Sequence, residues 1–201
     1  CPTRIGDGDE DQWGGSLVCH RMLFNADGTI DLKLPDGIDK KFTTLKKTVL
    51  IDKSGKAVKK EDSYVLSDVA SVSFPRLDKT CKIEATVKAT GNDDAFGFAF
   101  GACDDKTEVY SIRFDLKNKQ LVMSKDDLTR GTTPTQTNVA LTVPADKLFK
   151  VKIVAEKSVC VMYVNDKIAF SNRIDKMPKN PWAIFTDKGT EISFSDIKVY
   201  E

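Results

Sequence analysis

Between Thr80 and Thr90 the chain alternates without a break: Cys81, Ile83, Ala85, Val87 and Ala89 take one side, and Lys82, Glu84, Thr86 and Lys88 take the other. Successive side chains of an extended strand point to opposite faces. A period of two therefore prescribes a strand with one buried and one wet face, and it cannot sit on a helix of 3.6 residues per turn. No window of twelve residues shows the helical period, so helix is expected to be confined to a turn or two.

The same alternation recurs along the chain. Trp13 to Phe24 and Thr29 to Leu34 flank Asn25-Ala26-Asp27-Gly28, whose Asp-Gly step has the chemistry of a hairpin turn. Val109 to Leu116 places Tyr110, Ile112, Phe114 and Leu116 together, and an Asn118-Lys119 turn leads into Leu121 to Ser124. Phe149, Val151 and Ile153 alternate with lysines. Val159, Val161 and Tyr163 alternate with residues that are themselves apolar, and Ile168 and Phe170 follow the Asn165-Asp166 turn. Trp182 to Thr186 and Ile192 to Tyr200 close the series, with Trp182 expected in the core. From Asp94 to Cys103, Phe96, Phe98 and Phe100 face Ala95, Gly97, Ala99 and Gly101. A face so bare calls for something lying close against it, so this strand is expected to be central and covered on both sides. Many short strands without intervening helices predict an all-β fold, a two-sheet antiparallel β-sandwich of jelly-roll or concanavalin-like type.

Length and charge narrow the function. A chain of 201 residues fits one large β domain, and no internal repeat is evident. Lys and Arg total 31 against 30 Asp and Glu, interspersed, so the chain lacks the basic footprint of a nucleic-acid partner. Apolar runs such as Ala95 to Ala102 fall far short of the roughly 20 residues of a membrane span. Cys1, Cys19, Cys81, Cys103 and Cys160 show no zinc spacing and form no disulfide framework; Cys81 reads as a buried apolar thiol. A chain opening on Cys1 fits either a lipid-anchored protein or a piece cut from a longer one, and the resemblance described below favours the cut.

Catalytic chemistry is sparse. His20 is the single histidine, and no nucleophile and base stand in a recognisable arrangement. Asp7, Asp9 and Asp11 have the spacing that opens a calcium loop, but the twelfth position is Val18 where a glutamate is needed, so no metal is expected. Asp93-Asp94, Asp104-Asp105 and Asp126-Asp127 read as loop acids, because neighbouring residues do not span the ~5 to 9 Å between a glycosidase's two carboxylates. No cofactor is expected either. Sugar rings stack on exposed aromatics, and Trp13, before Gly14-Gly15, serves equally as packing contact or binding platform. With His20 and Arg21 on the strand that follows, Trp13 makes up the candidate carbohydrate contact.

The segment Asp11-Gln12-Trp13-Gly14-Gly15-Ser16-Leu17-Val18-Cys19-His20-Arg21 resembles the end of the catalytic propeller in glycoside hydrolase family 32. Near the other end, Val151 to Val154, Val159 to Asn165 and Ala169-Phe170-Ser171-Asn172-Arg173-Ile174 are similar to that family's closing strands. The resemblance implies an invertase, inulinase or levanase relative. It divides the chain into a leftover propeller segment with a first strand at 1–24 and a sandwich at 25–201. The family's Asn-Asp-Pro-Asn, Arg-Asp-Pro and Glu-Cys catalytic segments have no counterpart here, so no catalytic residue carries over. What the resemblance implies is a non-catalytic accessory sandwich that braces a propeller and contacts fructan, secreted or periplasmic in a bacterium. A free-standing carbohydrate-binding module and a structural interaction domain are the alternatives. The five cysteines argue mildly against long exposure to an oxidising exterior.

Overall fold

The computed structural model describes residues 18–77, 80–101, 108–127, 135–156, 159–173 and 181–201. The strands are β1 (Arg21–Phe24), β2 (Ile30–Lys33), β3 (Leu45–Lys46), β4 (Asp52–Lys60), β5 (Ser63–Phe74), β6 (Cys81–Ala89), β7 (Ala95–Gly101), β8 (Glu108–Asp115), β9 (Gln120–Asp127), β10 (Thr135–Ala140), β11 (Leu148–Glu156), β12 (Val159–Val164), β13 (Ile168–Arg173), β14 (Trp182–Lys188) and β15 (Ile192–Tyr200). A single helical turn, α1 (Asp36–Asp39), is the only helix among the described residues.

The ladder runs β10-β9-β8-β7-β14-β5-β15-β6-β11-β12-β13, every pairing antiparallel. It folds over at β5. The half Ala70–Phe74 pairs with β14 and the half Ser63–Leu66 with β15. Between the halves Asp68 adopts a left-handed φ of 53°. β4 follows β5 across this corner with its own register shift at Gly55 and Lys56, where Gly55 has φ 68°. A Cβ on Gly55 would lie 2.1 Å from the Val69 carbonyl oxygen, so the corner requires glycine. A bend of this kind lets one strand serve two packed sheets. The first sheet is β10-β9-β8-β7-β14 with the end of β5, and the second is the start of β5 with β15-β6-β11-β12-β13.

The inward rows of the two sheets meet as the alternation requires. Phe96 lies 6.0 Å from Phe149 and 6.1 Å from Phe194 between ring centres, Phe114 lies 5.2 Å from Phe149, and Phe98 lies 5.9 Å from Phe194. Trp182 is buried and stacks on Phe74 at 4.5 Å, in the core as expected. Cys81 and Cys160 are buried thiols, each pushed up to about 12 by burial. The β-sandwich is thus what the sequence predicts.

The outward face of the second sheet is covered by the chain itself. The β1–β2 hairpin lies beside β13, with the Leu32 amide donating to the Lys167 carbonyl at 2.9 Å. Leu34 and Ile38 close over Val161, Tyr163 and Val154 in a second small core. Lys82, on the face read as wet, is only 5% exposed. Its ammonium pairs with Asp39 and with Glu84 (2.8 Å) and lies over the rings of Phe42 and Tyr200. The segment after α1 thus turns a solvent position into a buried one.

Candidate functional site, a groove on the uncovered sheet

The outward face of the first sheet has a different character. Ladder pairings place Ser124, Ser111, Ala99, Ala183 and Ser73 in one row across β9, β8, β7, β14 and β5, with Gln136 at the β10 end. The neighbouring row is Val122, Arg113, Gly97, Phe185 and Ser71. Ala95, Ala99 and Gly101 stay partly exposed. The bare face of β7, expected to lie under a second layer, is instead the floor of an open groove. Its volume is about 340 Å³, and its walls include Arg113, Ser124, Gln136, Phe185 and Asp187.

Gly97 makes room for the long side chains. A Cβ there would sit 2.0 Å from the Ile112 carbonyl oxygen and 3.0 Å from the Arg113 Cα, so β7 and β8 approach too closely for any side chain. The Arg113 guanidinium donates to Asp187 Oδ2 at 3.5 Å. Its Nε–H is buried and meets no acceptor among the described residues. A buried donor left unsatisfied costs ~1–3 kcal/mol. A guanidinium that only donates, a carboxylate that only accepts, a carboxamide that does both and an aromatic ring are the groups that a sugar's hydroxyls and C–H faces require.

Residues 28–199 match the family described as GH32, BT1760-like, C-terminal domain. The chain belongs to this family. The fold of this GH32 C-terminal domain recurs in a fructosyltransferase from A. japonicus, at 14% identity and a TM-score of 0.65, over 92% of this chain and 31% of that one. It recurs in exo-inulinase from Aspergillus awamori, at 14% identity and a TM-score of 0.60, over 90% and 34%. The chain thus spans about a third of each of these enzymes. It is also similar to the carbohydrate binding module CBM66 from Bacillus subtilis, at 11% identity and a TM-score of 0.59, over 80% of this chain and 99% of that one. No curated protein matches the chain.

Of the candidate contacts read from the sequence of this GH32 domain, His20 and Arg21 lie elsewhere. Trp13 falls outside the described residues, as do Asp7, Asp9, Asp11 and Asp104-Asp105. His20 is half-buried against the second sheet, its Nδ1 3.1 Å from the Tyr163 hydroxyl and its Nε2 3.2 Å from the Ser171 hydroxyl. Burial lowers its pKa from 6.5. Arg21 pairs with Asp36 at the foot of the hairpin. The structure therefore brings His20 and Arg21 together at the hairpin, and neither lines the groove. Of the acidic pairs, Asp94 is buried and accepts from the Gly91 and Thr190 amides at 2.7 and 3.2 Å, fastening two turns together. Exposed Asp93 lies 3.9 Å from Lys188. Both behave as loop acids, and no metal-binding group of His, Cys, Asp or Glu occurs among the described residues.

Sequence reasoning missed Arg113 and Asp187 because it followed only the inward residues of β8 and β14. The available signal was a lone arginine between two core positions, opposite a strand whose outward face carries no bulk.

Proposed function

We propose that this domain is the non-catalytic accessory sandwich of a fructan-cleaving glycoside hydrolase, where it braces the catalytic propeller and contacts carbohydrate. Membership in the GH32, BT1760-like, C-terminal domain family is the observation that carries this reading. The bracing half is supported by the β1–β2 hairpin, where Met22, Leu23, Phe24 and Ile30 are exposed and Phe24 reaches 77%. Apolar side chains gathered on one hairpin suit a surface that meets another domain. The hairpin is fixed to the sandwich by the His20, Arg21 and Leu32 contacts, so load on it would reach the second sheet directly.

Likeness to CBM66 over nearly that module's whole length favours the second reading, a carbohydrate-binding module acting by itself. In either case a polymer such as fructan is met outside the cytoplasm, which makes the domain secreted or periplasmic. Calorimetric titration of the purified chain with inulin and levan oligosaccharides, with reducing-sugar release followed in parallel, tests the proposal. Binding without release is expected, and release of reducing sugar by this chain alone would overturn its non-catalytic role.

A further inference from the structure

The carbohydrate contact in that reading has no location in the family assignment, and the structure supplies one. We infer that the groove on the outward face of the first sheet binds a neutral oligosaccharide along its length, with Arg113 and Asp187 as the hydroxyl-reading pair and Phe185 as the apolar wall. The inference rests on the reading that this domain contacts carbohydrate.

The groove's floor is built of alanines and serines on adjacent strands, so its depth comes from the absence of bulk. Depth alone specifies nothing. What specifies a ligand is the set of long side chains bordering that floor. The Arg113 side chain is partly exposed, and one N–H of its guanidinium reaches Asp187, so the outer N–H groups can donate to a further acceptor. Planar guanidinium geometry favours two oxygens at once, and adjacent hydroxyls on a sugar ring offer such a pair. Asp187 accepts the protons that those hydroxyls must donate.

The charges of Arg113 and Asp187 offset one another, so the site should discriminate against anionic sugars, whose carboxylates would be repelled by Asp187 as much as drawn to Arg113. The lining runs from Gln136 on β10 across Ser124, Ser111 and Ala99 to Phe185 on β14, five strands at ~4.8 Å spacing, which is longer than one sugar ring. An extended ligand held by several rings fits such a trough better than a single chain end.

Calorimetry and amide chemical-shift mapping on the whole chain decide the matter, with inulin and levan oligosaccharides of several units, free fructose and oligogalacturonides as probes. Expected are shifts clustered on β7, β8 and β14, at least tenfold weaker binding in Arg113→Lys, which keeps the charge and loses the fork, and a similar loss in Ala99→Leu, which fills the floor. Phe24→Ser, on the opposite side of the sandwich, should bind like the parent chain. If Ala99→Leu fails to fold, Arg113→Lys and the shift map still give the answer. Neutral oligosaccharides that bind the parent chain and both groove variants equally would overturn the inference while leaving the functional reading intact. So would loss of binding in His20→Ala or Arg21→Ala with the groove variants unaffected, which would move the site to the hairpin. Oligogalacturonides binding as tightly as neutral chains would overturn the neutral class, and fructose binding as tightly as its oligomers would overturn the extended mode. No binding of any neutral sugar by the parent chain would remove the carbohydrate reading itself.

Discussion

The two sheets of this sandwich are built alike on the inside and oppositely on the outside. The second sheet carries apolar residues outward on β12, and the chain folds a hairpin, a helical turn and Leu34 over them. The first sheet carries alanine, serine and glycine outward, and among the described residues a groove with an arginine on its border remains. An outward face that is apolar requires a cover, whereas an outward face that is small offers a recess. The covered side presents the exposed apolar hairpin, and the uncovered side leaves an open recess.

This contrast can be broken most sharply by truncation on each side. Leu34→Ala removes the centre of the outer core on the second sheet and should cost about 2–3 kcal/mol, toward the lower part of the range for buried leucines because that core is small. Gln136→Ala, at the open edge of the first sheet, should stay within ~0.5 kcal/mol, as exposed positions do. Urea unfolding of both variants measures the difference, and equal costs would mean that the first face is covered after all.

A smaller effect should separate the faces by pH. Burial pushes the Asp39 carboxyl up, but hydrogen bonds and charge from Lys82 and Lys152 outweigh it and hold the group below its ordinary 3.8. A carboxyl lowered in the folded state stabilises it at pH values above the unfolded pKa, and that contribution is lost as pH falls through the folded value. The parent chain should lose stability below about pH 4, and Asp39→Asn should show a shallower acid loss from a lower starting point. Identical slopes in urea titrations from pH 6 to pH 2.5 would contradict this account of the cover.

The smallest effect concerns the latch on the hairpin. Because burial lowers His20 from 6.5, the unfolded imidazole takes up a proton before the docked one does. Hairpin docking should therefore weaken as pH falls through 6.5 and level off below the folded value. Protection of the β1 and β2 amides, taken as exchange relative to the intrinsic rate at each pH, should fall over that interval by a factor reflecting ~1 kcal/mol or less. His20→Ala should exchange quickly at every pH.

Much of this was legible in the sequence, and the gaps have physical causes. Strands β6, β7, β8, β11 and β14 were legible because each buries one clean alternate set. β12 announced the cover, since Val159, Val161 and Tyr163 are apolar opposite Cys160, Met162 and Val164, and only a strand enclosed on both faces has that composition. β5 escaped notice because the left-handed residue Asp68 breaks its alternation, so Leu66 and Ala70 share the inward face although the residues between them do not keep the period. β10 escaped because an edge strand reading Thr-Gln-Thr-Asn buries almost nothing. The outward face of β7 was seen but its meaning was reversed. Lack of bulk there answers to the close approach of β8 at Gly97 and to the recess above it, and periodicity alone does not tell a filled space from an empty one. For the site, the sequence pointed to the hairpin residues His20 and Arg21, whereas the groove depends on cross-strand neighbours that become adjacent only once the register is set.

The corner at β5 has a further consequence for how the protein is made. β14 and β15 lie in the interior of the two sheets, between β7 and β5 and between β5 and β6, although they are synthesised after every other strand of the ladder. The first sheet cannot close before β14 has been made, nor the second before β15. Until these two strands follow, one edge of each of β5, β6 and β7 stays unpaired, so folding of this domain depends on contacts of long sequence separation.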